Sequence, residues 1–424
     1  MIYSESEILQ YIEENDVKFV KLSFCDMNGR LKNISILSSE LAATFEKGVR
    51  ISAKKIQGFS AAGGRDLFLF PDAQTMTLLP WRPQQGRVIR MFCYIRCEDG
   101  SPFEGDGRYF LKKAMKAAIE KGYSFRFGTS CEFTLFRKDE KGLPAKIPHD
   151  LAGYCDIAPD DKGENIRREV CLTLEQMGIH PISSRHESGH GQHEIDFNAS
   201  TALKAADVFL SFKSAVKSVA EHNDIYASFM PKPLRNDCGN GLHISFSVFP
   251  GGDSPEEAAA KESDVNSAAA GIMEYIRDFT VFTNSTANSF VRLGEFNAPR
   301  YVMWSGGDGS QLLRILPISE ELPVVLRAAD CACNPYFVIG LMIYASLEGI
   351  DGKLALPEEN SSSQLLPATL AEAAECAEQS EFLKKYVPEN ILSEVISSRE
   401  AEWKEYSSAN DKEAFEEQKY FYSL

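Results

Sequence analysis

The chain has 424 residues, of which 44% are apolar and 25% are charged, and its formal net charge is −16. This length and composition are typical of one large or two moderate globular domains. The acidic balance argues against nucleic acid or an anionic membrane surface as a partner. No stretch approaches the roughly 18 uninterrupted apolar residues of a membrane span. The first residues lack the basic and apolar segments of a secretion signal, so we expect a soluble, cytoplasmic protein.

Ten cysteines are scattered between Cys25 and Cys376. In a cytoplasmic chain they are expected to be reduced thiols, because that compartment disfavours disulfides. Cys331 and Cys333 are spaced too closely for a usual zinc knuckle, and no second pair completes such a site. We therefore expect ordinary structural thiols at these positions.

The first hundred residues favour strands, with one short helix. Strands are predicted at 17–24, 31–37 and 87–97. A turn at Asp26-Met27-Asn28-Gly29 separates the first two. A polar stretch that ends at Pro102 breaks the pattern. We expect it to divide a small N-terminal domain, residues 1–102, from a larger domain, residues 103–424.

Helices and strands mix in the rest of the chain. Apolar periodicity predicts helices at 109–121, 163–177, 203–222 and 254–279. Strands are predicted at 125–136, 227–231 and 242–249. Further helices are expected after Asn334, and the acidic tail 381–419 is typical of solvated helices. Runs of antiparallel-type strands with helices packed outside them indicate the α+β class.

A segment rich in possible metal ligands runs from His186 to Glu194 and reads HESGHGQHE. Its first five residues match the zinc-protease pattern H-E-x-x-H, which works only on a helix because both histidines must share a face. Gly189 and Gly191 disfavour a helix. We expect a bent loop that leads into a strand, with Glu187 and Glu194 converging on one hard cation such as Mg²⁺ or Mn²⁺. A polar surface loop is the alternative.

Glu132 and His243 add to this hypothesis. Glu132 lies inside the apolar strand 125–136, where a carboxylate is costly unless it is paired, hydrogen-bonded or bound to metal. His243 lies at the start of the strand 242–249, where a structural role and a ligand role both stay open.

Further motifs follow one another in a fixed order along nearly the whole chain. They are Phe24-x-Asp26-x-x-Gly29, Gly58-Phe59, Asp66-Leu67, Pro71-Asp72, Phe103-Glu104-Gly105-Asp106, Glu132-Phe133, Gly153-Tyr154, His186-Glu187, Gly191-Gln192-His193-Glu194, Phe229-Met230-Pro231-Lys232-Pro233, Gly241-x-His243, Asn288-Ser289, Arg292-Leu293, Ala298-Pro299 and Asn334-Pro335-Tyr336. In order and spacing they resemble the class I glutamine synthetases. The resemblance implies a glutamine synthetase fold, with a small N-terminal β-grasp domain and a larger catalytic domain of antiparallel sheet and packed helices. It also implies a homo-oligomeric ring, a decamer or dodecamer, with sites at subunit interfaces.

The resemblance also implies roles for individual residues. In that family two divalent metals help ATP to phosphorylate glutamate before ammonia displaces the phosphate. The matching residues are Glu132, Glu187 and Glu194 for the first metal, His243 for the second metal, Arg292, Arg327 and Gly239 for the substrate, and Arg314 and Ser247 for the nucleotide.

Other functional positions of the family carry different residues here. They are Ser130 and Val325 for two glutamates of the second metal, Gly309 and Pro323 for two nucleotide-side arginines, and Ser52 and Asn297 for two acids of the ammonium site. A single imidazole does not make a magnesium site. Phosphoryl transfer depends on positioning and charge neutralisation, so we expect ATP-dependent chemistry to be impaired. Glu295, in a flap one residue shorter, is an alternative acid if the loop shifts.

Three polar residues beside these positions have two interpretations each. Lys54 and Lys55 either meet an anionic group of a ligand or are solvated surface lysines. His190 either extends the metal shell or acts as the catalytic acid–base group, or it faces solvent.

Three functions therefore stay open. The first is a repurposed protein that binds one divalent metal, Mg²⁺ or Mn²⁺, and a glutamate-like or γ-glutamyl ligand. The second is an ATP-dependent ligase that joins a glutamate carboxylate to an amine other than ammonia. The third is a non-catalytic relative with a sensing or scaffolding role. The first is favoured because the losses spare the first metal and the amino-acid clamp.

Overall fold

The structure is a computed structural model that describes residues 4–82, 85–251, 261–317 and 321–424. The chain forms two compact units. The first comprises Met1–Phe110 with Cys171–His180, and the second comprises Leu111–Val170 with Pro181–Leu424. The domain division expected at residue 102 stays a prediction.

The first unit is built on a sheet of six strands within its described residues. The strands are β1 (Val17–Cys25), β2 (Leu31–Leu37), β3 (Val49–Ser52), β4 (Asp66–Pro71), β5 (Thr77–Leu78) and β6 (Arg87–Arg96). Their order is β2-β1-β6-β4-β3, with β5 also paired to β6, and β1 runs parallel to β6. Helices α1 (Glu5–Glu14) and α2 (Leu41–Lys47) accompany the sheet. The three predicted strands are confirmed as β1, β2 and β6.

The second unit contains a larger sheet whose longest strand is β7. Its described strands are β7 (Tyr123–Lys138), β8 (Pro144–Pro148), β9 (Pro181–His186), β10 (Gln192–Phe197), β11 (Ser200–Thr201), β12 (Ile225–Ser228), β13 (Leu242–Pro250), β14 (Trp304–Ser305), β15 (Leu313–Ile315) and β16 (Val324–Leu326). The main order is β14-β15-β16-β13-β7-β10-β9, and β8, β11 and β12 also pair with β7. Pairing is antiparallel except between β14 and β15, so the predicted α+β class is confirmed.

The remaining helices follow the sequence pattern closely. They are α3 (Gly107–Glu120), α4 (Glu164–Gln176), α5 (Ala202–His222), α6 (Glu262–Thr283), α7 (Ser289–Arg292), α8 (Pro335–Asp351), α9 (Leu370–Gln379), α10 (Glu381–Tyr386), α11 (Glu389–Ser408) and α12 (Lys412–Glu416). The predicted helices are confirmed as α3 to α6, although residues 254–260 of the prediction lie outside the described residues. None of the described helices has the length and apolarity that a membrane crossing needs.

One predicted strand, 227–231, is wrong in its second half. β12 ends at Ser228, and beyond it the carbonyl oxygens of Met230 and Pro231 accept hydrogen bonds from Asn240. Asn240 binds them through its side-chain amide at 3.0 Å and its backbone N–H at 2.7 Å. These carbonyls are therefore used to fix the loop before β13 rather than to extend a sheet.

Helices α6 and α8 pack unusually closely in the second unit. A Cβ atom on Gly271 would lie 2.1 Å from the carbonyl oxygen of Ala345, and one on Gly349 would lie 2.1 Å from that of Ser267. Only glycine allows this approach. Helix α8 is buried along nearly its whole length, which explains why it is apolar on every face.

Candidate functional site

Three adjacent strands carry charged residues on one face of the larger sheet. In the antiparallel registers, Glu132 of β7 lies opposite Glu194 of β10, and Glu194 lies opposite Arg185 of β9. Opposed side chains in a sheet are neighbours, with Cβ atoms about 5 Å apart. The three charged side chains therefore form one row across the sheet.

A second row lies two residues along the same strands. Ser130 of β7 is opposite Asp196 of β10 on one side and opposite His243 of β13 on the other. Because alternate residues of a strand point to the same face, this row faces the same way as the first. The sheet thus brings His243 beside Glu132 and Glu194.

The segment that matches H-E-x-x-H is a loop, as expected. His186 ends β9 and Gln192 begins β10, and the backbone N–H of Glu187 donates to the carbonyl oxygen of Gln192 at 2.7 Å. Gly191 has a φ of 61°, and a Cβ atom there would lie 2.7 Å from the carbonyl oxygen of Leu135. The helical arrangement that a zinc protease requires is excluded for this segment.

The two opposed glutamates each keep one oxygen available for a cation. Oε2 of Glu132 accepts from the backbone N–H of Gly241 at 2.6 Å, and Oε2 of Glu194 accepts from Arg185. Oε1 of Glu194 is buried and has no hydrogen-bond partner among the described residues. It lies 3.5 Å from Nδ1 of His243, and Oε1 of Glu132 lies 3.9 Å from Nε2 of the same ring.

These atoms suit one divalent cation. One ligand atom each from Glu132, Glu194 and His243 lie within 4.8 Å of one another. Two carboxylates with one imidazole are a donor set that suits Mn²⁺, and Mg²⁺ with additional water ligands. The orphaned oxygen of Glu194 is the observation that supports this fit, since a buried carboxylate oxygen without a partner is costly.

Glu187, the third predicted ligand, lines the same pocket but is paired differently. Its Oε1 lies 3.0 Å from Nε of Arg185. Arg185 also donates to Glu194, and to Asp196 at 2.7 Å. Arg185 was not among the predicted site residues. Its signal in the sequence is the spacing of charged residues two positions apart, which places them on one face of neighbouring strands. These pairs are Arg185-x-Glu187 and Glu194-x-Asp196.

Burial changes the ionisation of the cluster. It raises the pKa of Glu132 to about 7 and that of Glu187 to about 7, and it also raises the pKa of Glu194. Burial, with the nearby charge of Arg327, lowers the pKa of His243 to about 3, so the imidazole is neutral at physiological pH. Cation binding to these groups is therefore coupled to release of protons from the glutamates.

The cluster forms one wall of a pocket of about 420 Å³. Arg292 and Arg327 line it, and Arg292 is held by donating to the carbonyl oxygens of Ala328 at 2.9 Å and of Arg327 at 3.2 Å. Gly239 also lines it, and a Cβ atom there would lie 2.4 Å from the carbonyl oxygen of Pro231. The structure thus brings all three predicted substrate residues to the metal-ligand candidates.

Of the two residues predicted to contact a nucleotide, one lines the pocket and the other does not. Arg314, on β15 opposite Val325, lines the pocket. Ser247 is fully buried on β13 opposite Arg126, and it is not among the described residues that line the pocket. On the flap, both Glu295 and Asn297 line the pocket, so a carboxylate is present there.

His190 is not brought into the pocket within the described structure. Its Nδ1 lies 2.6 Å from Oδ2 of Asp237, and its backbone N–H donates to the same oxygen at 3.1 Å. Its side chain is half exposed. Lys54 and Lys55 belong to the first unit and are exposed there.

Comparison with known proteins agrees with these features. The family model "Glutamine synthetase, catalytic domain" matches residues 104–418, and "Glutamine synthetase, beta-Grasp domain" matches residues 16–97. A glutamine synthetase of Clostridium saccharobutylicum is 36% identical over 95% of this chain and 96% of its own length. One of Methanosarcina mazei is 37% identical over 96% of this chain and 95% of its own. The chain therefore belongs to the glutamine synthetase family.

Solved structures share the fold at low identity. A structure described as a GmaS/ADP complex has a TM-score of 0.85 with 23% identity and covers 97% of this chain and 98% of its own. The glutamine synthetase of Plasmodium falciparum has a TM-score of 0.85 with 22% identity and covers 99% of both chains. The predicted glutamine synthetase fold, with its N-terminal β-grasp domain, is confirmed.

Proposed function

We propose that this family member binds one divalent metal, Mg²⁺ or Mn²⁺, and a glutamate-like or γ-glutamyl ligand, and does not make glutamine from ATP, glutamate and ammonia. The observation that carries the proposal is the close grouping of Glu132, Glu194 and His243, with Ser130 next to the imidazole. In the family a glutamate stands in place of Ser130. These three residues can hold one cation, whereas both glutamates of the family's second metal are replaced here, by Ser130 and Val325.

Each part of the pocket has a role in this proposal. A bound divalent metal would act as a Lewis acid on a ligand carbonyl or carboxylate. Arg292 and Arg327 would bind the ligand's α-carboxylate, since a guanidinium fork matches that group. Glu295, which lines the pocket, is the proton acceptor in place of His190, whose Nδ1 is held by Asp237.

The second candidate is an ATP-dependent ligase that uses an amine other than ammonia. Two observations favour it: Arg314 and Arg327 both line the pocket, and a neighbour of the same fold was solved with ADP. The carboxylate of Glu295 would take the proton of the attacking amine. This candidate requires that nucleotide binding is retained despite Gly309 and Pro323.

Calorimetric titration of Mg-ATP, with and without glutamate, separates the two candidates. The first predicts no detectable ATP binding at millimolar concentration, while Mn²⁺ and glutamate still bind. Clear ATP binding that glutamate strengthens would contradict it and support the ligase, and an amine screen would then identify the acceptor.

The assembly is also a proposal, namely a homo-oligomeric ring, decamer or dodecamer, in the cytoplasm. It is supported by three large exposed side chains on one loop: Leu151 is 76% exposed, the pocket residue Tyr154 is 60% exposed and Ile157 is 76% exposed. Such exposure is unusual for large apolar residues and marks interaction surfaces. Light scattering on the purified protein tests it, and a monomer would contradict it.

A further inference from the structure

Arg185 lies at the centre of three carboxylates on the open face of the larger sheet. Its Nε lies 3.0 Å from Oε1 of Glu187 and its Nη1 lies 2.7 Å from Oδ2 of Asp196. Its Nη2 donates to Oε2 of Glu194. Each nitrogen of the guanidinium therefore has a different acidic partner.

Sheet geometry fixes this arrangement. Arg185 is opposite Glu194 in the register of β9 and β10. Glu187 follows Arg185 by two residues, and Asp196 follows Glu194 by two residues. Ser183 lies opposite Asp196 and donates to the same Oδ2 atom that Arg185 contacts. The planar guanidinium matches this spread of oxygens, with one nitrogen for each carboxylate.

The carboxylates of this cluster carry more charge than one divalent metal can offset. Glu132, Glu187, Glu194 and Asp196 together carry four negative charges when ionised, and one divalent metal offsets half of them. Ser130, opposite both Asp196 and His243, has no charge to hold a second metal. Arg185 is permanently charged and supplies a positive charge at this place.

We propose that Arg185 is a built-in cation that neutralises part of the carboxylate cluster and so limits this site to one divalent metal. This inference rests on the proposed function, in which one metal is bound by Glu132, Glu194 and His243. Arg185 and that metal share Glu194, since the guanidinium holds Oε2 and Oε1 is left without a partner among the described residues. The two cations also repel each other, so Arg185 sets the metal affinity as well as the number of metals.

The test is Mn²⁺ binding to metal-stripped full-length protein, measured by calorimetry with a count of bound ions per chain. The neutral variants are Arg185→Gln and Arg185→Met, and Arg185→Lys retains the charge. The matched control is Arg235→Gln, because Arg235 also bridges two glutamates, Glu413 and Glu416, and its side chain is 33% exposed against 29% for Arg185. Thermal unfolding gives a second readout, the rise in Tm that each protein shows on adding Mn²⁺. This difference can be compared even if a variant is less stable than the wild type.

The wild type is expected to bind one Mn²⁺ per chain. Both neutral variants are expected to bind Mn²⁺ at least tenfold more tightly, or to bind a second ion, and to show a larger rise in Tm on adding Mn²⁺. Arg185→Lys and Arg235→Gln are expected to resemble the wild type. If the neutral variants bind Mn²⁺ as tightly as the wild type or more weakly, Arg185 only orients the glutamates. The proposed role of Arg185 would then be wrong, while the proposed binding of one metal would stand. A wild type that binds no Mn²⁺ would overturn the proposed function itself.

Discussion

Two groups of histidine and acidic residues lie at opposite faces of the larger sheet. The front group is Glu132, Glu194 and His243, and the back group is Asp150, His186 and His193. In both, one ligand atom from each residue lies within 4.8 Å of the others. His193 precedes Glu194 on β10, so alternation sends the two side chains to opposite faces.

The back group is largely bonded within the protein, and of its ligand atoms only Nε2 of His193 lacks a hydrogen-bond partner among the described residues. His186 donates from Nε2 to Oδ1 of Asp150 at 2.8 Å. Arg167, which forms an ion pair with Asp161 at 2.7 Å, donates to Nδ1 of His193 at 2.8 Å. A Cβ atom on Gly163 would lie 2.4 Å from Cε1 of His193, so the chain packs directly on the ring.

Closeness of ligand atoms therefore does not by itself define a metal site. The back group has its cation, Arg167, and Asp150, His186 and His193 are not among the described residues that line the pocket. The front group keeps an unpartnered carboxylate oxygen beside a pocket that a ligand can enter. We therefore assign metal binding to the front and a structural role to the back.

The largest effect is expected from Glu194→Gln. Loss of an outer-shell partner of a metal typically costs about 10- to 100-fold in affinity, so loss of a ligand is expected to cost more than about 100-fold for Mn²⁺. Calorimetric titration measures this. The matched control is Glu416→Gln, because Glu416 is also a buried glutamate that accepts from an arginine, at 2.8 Å. Equal affinities for the two variants would remove Glu194 from the site.

A substitution beside the back group is expected to lower the stability of the protein rather than its affinity for Mn²⁺. Arg167→Gln breaks a buried ion pair with Asp161 and is expected to cost about 3 kcal/mol in the free energy of unfolding. Denaturant unfolding measures this cost. Mn²⁺ affinity of the folded variant is expected to stay close to that of the wild type. A large loss of Mn²⁺ affinity with unchanged stability would reverse the assignment of the two faces.

A smaller effect concerns pH. The pKa of Glu132 and that of Glu187 are raised by burial from 4.5 to about 7 in the metal-free folded chain. Their contribution to stability is therefore fully present below about pH 4.5 and is lost as the pH rises through about 7. Mn²⁺ binds the ionised carboxylates, so it is expected to raise Tm more at pH 8 than at pH 5.5. An equal rise at both values would contradict these shifts.

The smallest effect on metal binding is expected from Glu295→Gln. Glu295 is exposed on the flap, and exposed charges contribute below about 1 kcal/mol, so Mn²⁺ affinity is expected to change by less than about fivefold. Binding of glutamate should become less dependent on pH if Glu295 accepts a proton from the ligand. A strong loss of Mn²⁺ affinity would place Glu295 among the metal ligands.

The fold and most of the pocket could be predicted from the sequence, because the motifs are local and the strands alternate clearly. Glu132, Arg292 and Gly239, which the resemblance implied as site residues, line one pocket. The pairing of Arg185 could not be predicted in this way, because it depends on the register between β9 and β10. The position of His190 depends on Asp237, 47 residues further along the chain. Contacts between distant segments are set by packing, which a linear motif does not record.

The most direct test of the account is the number of Mn²⁺ ions bound per chain at saturation in the presence of glutamate, measured on the metal-stripped wild-type protein by electron paramagnetic resonance. We expect one ion per chain, held by Glu132, Glu194 and His243. Two ions per chain, or none, would contradict it.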